Sequence, residues 1–145
     1  MKIFDCFMFY DEELLLDIRL NTLDKYVDFF VIVESRFFHN GVKRQLKFNI
    51  DKFKKFKNKI IYVQHKNEPS KIVKLEDSDN EGTKSHKLIY NAHLRENDQR
   101  DHILEGIKQA DDNDVILISD VDEIPNFNSI DLTKINNQII IFEQE

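Results

Sequence analysis

Asp120 and Asp122 stand one residue apart in the stretch VILISDVDEIP, Val115 to Pro125, and Glu123 follows directly. Like charges this close repel, and acidic side chains are rarely buried without partners, so the segment calls for something positive beside it. At an extended strand end, residues i and i+2 project to one side. Two carboxylates on one side make an oxygen-rich site for a hard divalent cation, Mg²⁺ or Mn²⁺. Such a cation, when it also holds a diphosphate, acts as a Lewis acid as that group departs. The plainer reading is a strand terminus whose acids cap the next turn. The apolar strand before the acids and the EIP after them weigh towards chemistry.

A second acidic stretch, DSDNEG from Asp77 to Gly82, matches the first half of a calcium loop. The twelfth position, where a bidentate Glu belongs, is Leu88, so a polar surface loop is the better reading. The single cysteine, Cys6, lies among apolar residues and reads as a buried structural thiol.

These residues need elements to position them. Lys2 to Tyr10 reads as a first strand, and Asp11 as the N-cap of a helix with Glu12 and Glu13 in its first turn and Leu15, Ile18 and Leu23 on its apolar face. Val27 to Ser35 is a near-continuous apolar run ending in Glu34, the pattern of a strand buried on both faces. IDKFKKFKN from Ile50 is a short amphipathic helix with Phe53 and Phe56 on one side. Lys59 to Gln64 is a third strand, Lys66 to Ser85 a loop, and Ser85 to Ala110 a long helical segment with Ile89, Leu94, Ile103, Leu104 and Ile107 as its apolar positions. Asp114 to Ser119 is a fourth strand and Gln138 to Gln144 a fifth. Strands alternating with helices predict an α/β sandwich with a mostly parallel sheet, which binds ligands beyond the carboxyl ends of its strands. That rule puts Glu34 and the residues from Asp120 to Glu123 on one edge.

The chain has 145 residues, 41% of them hydrophobic and 33% charged, which suits one globular domain spanning 1–145. A net charge of −6 argues against nucleic acid as the main partner. No apolar run is long enough to span a membrane, and the N-terminus lacks a signal-peptide pattern, so a cytoplasmic setting is expected.

Two enzyme classes end a strand in D-x-D. In haloacid-dehalogenase-like phosphatases the first Asp is a nucleophile on the first core strand, with Thr or Val two residues after the second; here that position is Ile124 and the strand is the fourth. In nucleotide-sugar transferases of the GT-A fold the motif follows an α/β nucleotide-binding region, as it does here. The sequence resembles glycosyltransferase family 17, the β-1,4-mannosyl-glycoprotein 4-β-N-acetylglucosaminyltransferase-like proteins. The resemblance rests on IFDCFMFYDEELLLDIRLNTL, FFVIVES with FHNGVKRQLKF, ENDQRDHI and DVILISDVDEIP, in that order along the chain.

The resemblance implies a GT-A-like fold, a UDP-sugar donor (UDP-N-acetylglucosamine) and a glycan acceptor. It makes Asp120 and Asp122 the metal and diphosphate ligands and puts Glu34 and Ser35 near the nucleoside. Arg95, Glu96, Gln99 and Arg100 lie on the polar part of the long helix, where Arg100 contacts the diphosphate or pairs with the acidic motif. His39, Asn40 and Lys43 border the donor site. Members of the family continue well past the D-x-D segment, so the 145 residues are expected to be its donor-binding part, with the acceptor groove and general base elsewhere. The alternatives are a truncated non-catalytic remnant that binds nucleotide-sugar and, less favoured, the haloacid-dehalogenase-like phosphatase. An apolar patch is expected near Ile139 to Phe142, exposed or covered by a partner.

Overall fold

A computed structural model of the chain describes residues 1–128, 130, 132–134, 139 and 141. Among these described residues, four strands form one parallel sheet: β1 Ile3–Phe9, β2 Phe29–Ser35, β3 Ile60–His65 and β4 Val115–Ser119, in the order β3-β2-β1-β4. Parallel neighbours need crossovers. Helix α1, Glu13–Leu23, joins β1 to β2; a 3₁₀ helix, Ile50–Phe56, lies between β2 and β3; α2, Glu81–Asp101, and the short α3, Ile103–Gly106, lead to β4. The chain moves outward from β1 to β3 and then returns to the other side of β1. The strand order therefore reverses between β1 and β4, and the crevice at such a switch point is where open α/β sheets hold ligands.

Hydrophobic burial on both faces holds the sheet. On one, Phe7, Phe9, Phe30 and Ile32 pack against Leu16, Leu20 and Leu23 of α1 and against Phe53 and Phe56 of the 3₁₀ helix. On the other, Phe4, Cys6, Val31 and Val33 pack against Ile103 of α3. Gly106 lets α3 approach closely, since a Cβ there would lie 2.2 Å from Val31 Cγ1. Burial of β2 on both sides is the cause of its unbroken apolar run. Cys6 is a free thiol in this core, and burial pushes its pKa up, so it stays protonated.

The expected α/β class and strand positions agree with the structure, and two helices differ from expectation. The inner face of α1 is Leu16, Arg19, Leu20 and Leu23, while Ile18 is exposed. Helix α2 starts at Glu81 rather than Ser85, because the Asn80 side chain accepts a hydrogen bond from Thr83 N at 2.9 Å and caps it. Asp79 in turn pairs with Lys87 at 2.7 Å, so the calcium-like stretch is a helix start. The inner face of α2 is polar: Asn91, Arg95 and Gln99 are buried while Leu88 and Ile89 are exposed. This face lies against loop and strand-end backbone, whose orphan groups it satisfies. Asn91 bonds both N–H and C=O of Val73, Arg95 donates to His39 O, and Gln99 donates to Val33 O.

The expected fifth strand and the apolar patch expected near Ile139 to Phe142 lie outside the described residues except for Ile139 and Ile141, which are both exposed and not in a strand.

Candidate functional site

β4 stops at Ser119, so Asp120 to Glu123 form a turn and not the extended strand end anticipated. Glu123 N donates to Asp120 O at 3.1 Å, and Glu123 Oε2 accepts from Asp120 N at 3.0 Å. Glu123 thus closes the turn from both its backbone and its side chain.

A buried cation from α1 holds the backbone of the acidic turn, while its charge is met by a carboxylate of β1. Arg19 is fully buried and forms a two-pronged ion pair with Asp5 of β1, Nε to Oδ2 at 2.8 Å and Nη2 to Oδ1 at 2.7 Å. Its Nη1 donates to the carbonyls of Asp120, Val121 and Glu123 at 2.7, 3.2 and 3.0 Å, and Nη2 also reaches Ser119 Oγ at 2.7 Å. Every N–H of the guanidinium is engaged. One cation therefore neutralises Asp5 and folds the backbone of the acidic turn around itself, which turns the Asp120 and Asp122 side chains outward.

They turn towards a cavity of about 600 Å³ at the carboxyl ends of β1, β2 and β4. Asp120 and Asp122 form part of its wall with Ser35, His39, Asn40, Glu96 and Gln99, while Tyr10, Phe37 and Phe38 supply aromatic surface. Asp120 is half-exposed, and its Oδ1 lies 3.2 Å from Arg100 Nη2. Arg100 also faces Glu96 at 3.6 Å. Among the described residues, the exposed Asp122 carboxylate has no protein hydrogen-bond donor. Both carboxylates line the cavity, and carboxylate oxygens are the ligand type that a hard divalent cation takes.

Of the other expected residues, Glu34 is buried beneath the cavity. Its carboxylate accepts from Lys47 N, Phe48 N and Tyr62 OH at 2.7, 3.1 and 2.7 Å and pairs with Arg44 at 3.1 Å. Burial first, and the Glu34 hydrogen bond second, push the Tyr62 pKa up, so this hydroxyl remains a donor. Arg44 also donates to Ser35 O and Tyr10 O and stacks over the Tyr10 ring at 4.2 Å, so it ties the ends of β1 and β2 to the loop after β2. That loop is a tight hairpin, with Phe37 bridged to Lys43 and Gly41 at φ 87°. Arg95 fixes it from α2 through His39 O and holds Glu68 at 3.1 Å. Lys43 lies apart from the main cavity, in an adjoining cleft with Arg36, Lys66 and Glu68.

The family comparison supports the architecture. The model for glycosyltransferase family 17 matches residues 1–141 of the chain. The chain belongs to glycosyltransferase family 17. No curated protein and no solved structure matches it. Membership makes the chain a glycosyltransferase by family, and its all-parallel sheet flanked by helices is consistent with a GT-A-like domain. No described helix is long and apolar enough to cross a membrane.

Several residues of this family member escaped the sequence reading. Arg19 and Asp5 were legible in part, since Arg19 shares the helical spacing of Leu16, Leu20 and Leu23. Arg44 gave no such signal, because its partners come from three separate segments. His65 and Asp98 were likewise silent: Ser35 Oγ lies 2.9 Å from His65 Nδ1, and His65 Nε2 lies 2.7 Å from Asp98 Oδ2. Burial holds the His65 pKa below its ordinary value, against the opposing pull of Asp98.

Proposed function

We propose that this chain binds a UDP-sugar, with UDP-N-acetylglucosamine as the donor, and serves transfer of the sugar to a glycan hydroxyl. The observation that supports this reading most strongly is the shared cavity: Asp120 and Asp122 stand on one wall with Ser35 and His39 at the carboxyl edge of the sheet, in a family 17 chain.

Each residue then has a task. Asp120 and Asp122 hold Mn²⁺ or Mg²⁺, and that cation would supply Lewis-acid stabilisation to the departing diphosphate. Arg100, beside Asp120, adds a second positive group near the same charge. Ser35, His39 and Gln99 meet the nucleoside, with Tyr10, Phe37 and Phe38 offering aromatic faces to the base. Glu34 and Arg95 are positioning residues, because their polar atoms are occupied in shaping the cavity floor and the hairpin. Lys43 guards the adjoining basic cleft. Residues 1–145 act as one donor-binding domain.

Calorimetric titration of UDP with and without Mn²⁺ tests the reading. Metal-dependent binding is expected, lost in Asp122→Ala with the circular dichroism spectrum unchanged. Wild-type chain that leaves UDP free in the presence of metal would sink the proposal. Release of UDP from UDP-N-acetylglucosamine without transfer to any glycan would support donor binding and place acceptor recognition outside these residues.

A further inference from the structure

His65, Asp98 and His102 converge beside Ser35, and none of the three lines the cavity. His65 ends β3 and is buried; Asp98 and His102 lie one turn apart, at the end and C-cap of α2. Each offers a ligand atom within 4.8 Å of the other two, and the two imidazole rings are 4.5 Å apart. We infer that these three side chains form a nitrogen-rich site for a borderline divalent cation of the Zn²⁺ type, separate from Asp120 and Asp122.

Hydrogen-bond chemistry sets the ligand atoms. His102 Nδ1 lies 2.7 Å from Asp98 O, and a carbonyl can only accept. The hydrogen is therefore on Nδ1, which leaves the lone pair on Nε2. An imidazole whose other nitrogen donates to a carbonyl is the usual metal-ligand arrangement. In the metal-free chain His65 Nε2–H donates to Asp98, and His65 Nδ1 accepts from the Ser35 hydroxyl. A cation between Nε2 and the carboxylate takes the place of that proton. Two imidazoles and a carboxylate suit Zn²⁺, whereas the all-oxygen pair at 120 and 122 suits Mg²⁺ or Mn²⁺.

The exchange reaches the donor cavity. With Nε2 bound to metal, neutral His65 carries its hydrogen on Nδ1, so the proton lost at one nitrogen is regained at the other. Nδ1–H then donates to Ser35 Oγ, which already accepts from Phe37 N at 3.1 Å. With both lone pairs filled, the Ser35 hydroxyl hydrogen is released to point into the cavity that Ser35 lines.

Metal-stripped chain of residues 1–145 is titrated with Co²⁺ and followed by visible absorption, with imidazole ¹⁵N shifts recorded during a parallel Zn²⁺ titration. One equivalent of Co²⁺ should give the intense bands of a four-coordinate site. They should be lost in His102→Gln and Asp98→Asn and kept in Asp122→Ala, which separates this site from the proposed donor metal. Zn²⁺ should shift the His65 and His102 nitrogens and leave those of His39, His86 and His93 in place, a wild-type readout independent of any variant. Zn²⁺ should also raise the melting temperature of Asp122→Ala but not of His102→Gln. Absence of the bands in wild type, their loss in Asp122→Ala, or ¹⁵N shifts confined to the other histidines would overturn the inference.

Discussion

Replacing Arg19 by Met tests the claim that one buried guanidinium both holds the sheet to α1 and shapes the acidic turn. Arg19 and Asp5 are each fully buried, so the substitution leaves a carboxylate in the core without its counter-charge. Breaking a buried pair from one side costs about 3–5 kcal/mol. The carbonyl of buried Val121 also loses its donor, adding up to about 1–3 kcal/mol, while the exposed Asp120 and Glu123 carbonyls can turn to water. A loss of at least about 3 kcal/mol is expected from urea unfolding, a large share of the roughly 5–15 kcal/mol that holds a domain together. The paired variant Asp5→Leu with Arg19→Met removes both charges and should recover most of that loss, because apolar replacement of a buried pair is often neutral. It should not recover the turn. Amides at 120, 123 and 124 should exchange faster with solvent in the paired variant than in wild type. An Arg19→Met cost below about 1 kcal/mol would contradict the stranded-charge argument. Unchanged amide exchange in the paired variant would refute the clamp.

Other expectations follow from single contacts. Gly41→Ala puts a Cβ at φ 87° and 2.5 Å from Arg95 Nη2, so it should cost about 1–3 kcal/mol by thermal denaturation and loosen the hairpin that carries His39. Arg100→Gln removes the cation facing exposed Asp120; since an exposed pair is worth about 0.2–1 kcal/mol, Mn²⁺ affinity without nucleotide should rise by up to about 5-fold at low salt and less at high salt, read by calorimetry. The hydrogen bond from Lys59 holds the Asp24 carboxyl below its ordinary value of 3.8, so folding gains stability above that pH and loses it as pH falls through the folded pKa. Lys59→Met should flatten the acid limb of the stability curve there, measured by denaturant midpoints from pH 5 downward (about pH 5 marks the onset of such losses).

Local pattern carried much of this protein. The apolar run of β2, the i to i+3 spacing of Phe53 and Phe56, and the Asp-x-Asp pair after β4 are properties of neighbouring residues, and the parallel α/β class follows from their alternation. Family blocks added the transferase reading. Helix α2 marks where local pattern failed: its apolar residues Leu88 and Ile89 face outward because the surface beneath the helix is loop backbone needing hydrogen bonds, so Asn91, Arg95 and Gln99 are buried instead.

Sequence by itself determined the four strands of the described sheet and that two carboxylates follow the fourth of them. Tertiary structure decided what those carboxylates face. Arg19 lies about a hundred residues before the turn it clamps, and Glu34, Arg44, His65 and Asp98 meet partners from distant segments. Such contacts depend on the strand order β3-β2-β1-β4, which brings β1 beside β4 and gathers their carboxyl ends around one cavity. Spacing along a chain encodes the side-chain direction within one element, and only packing brings the charged ends of different elements together.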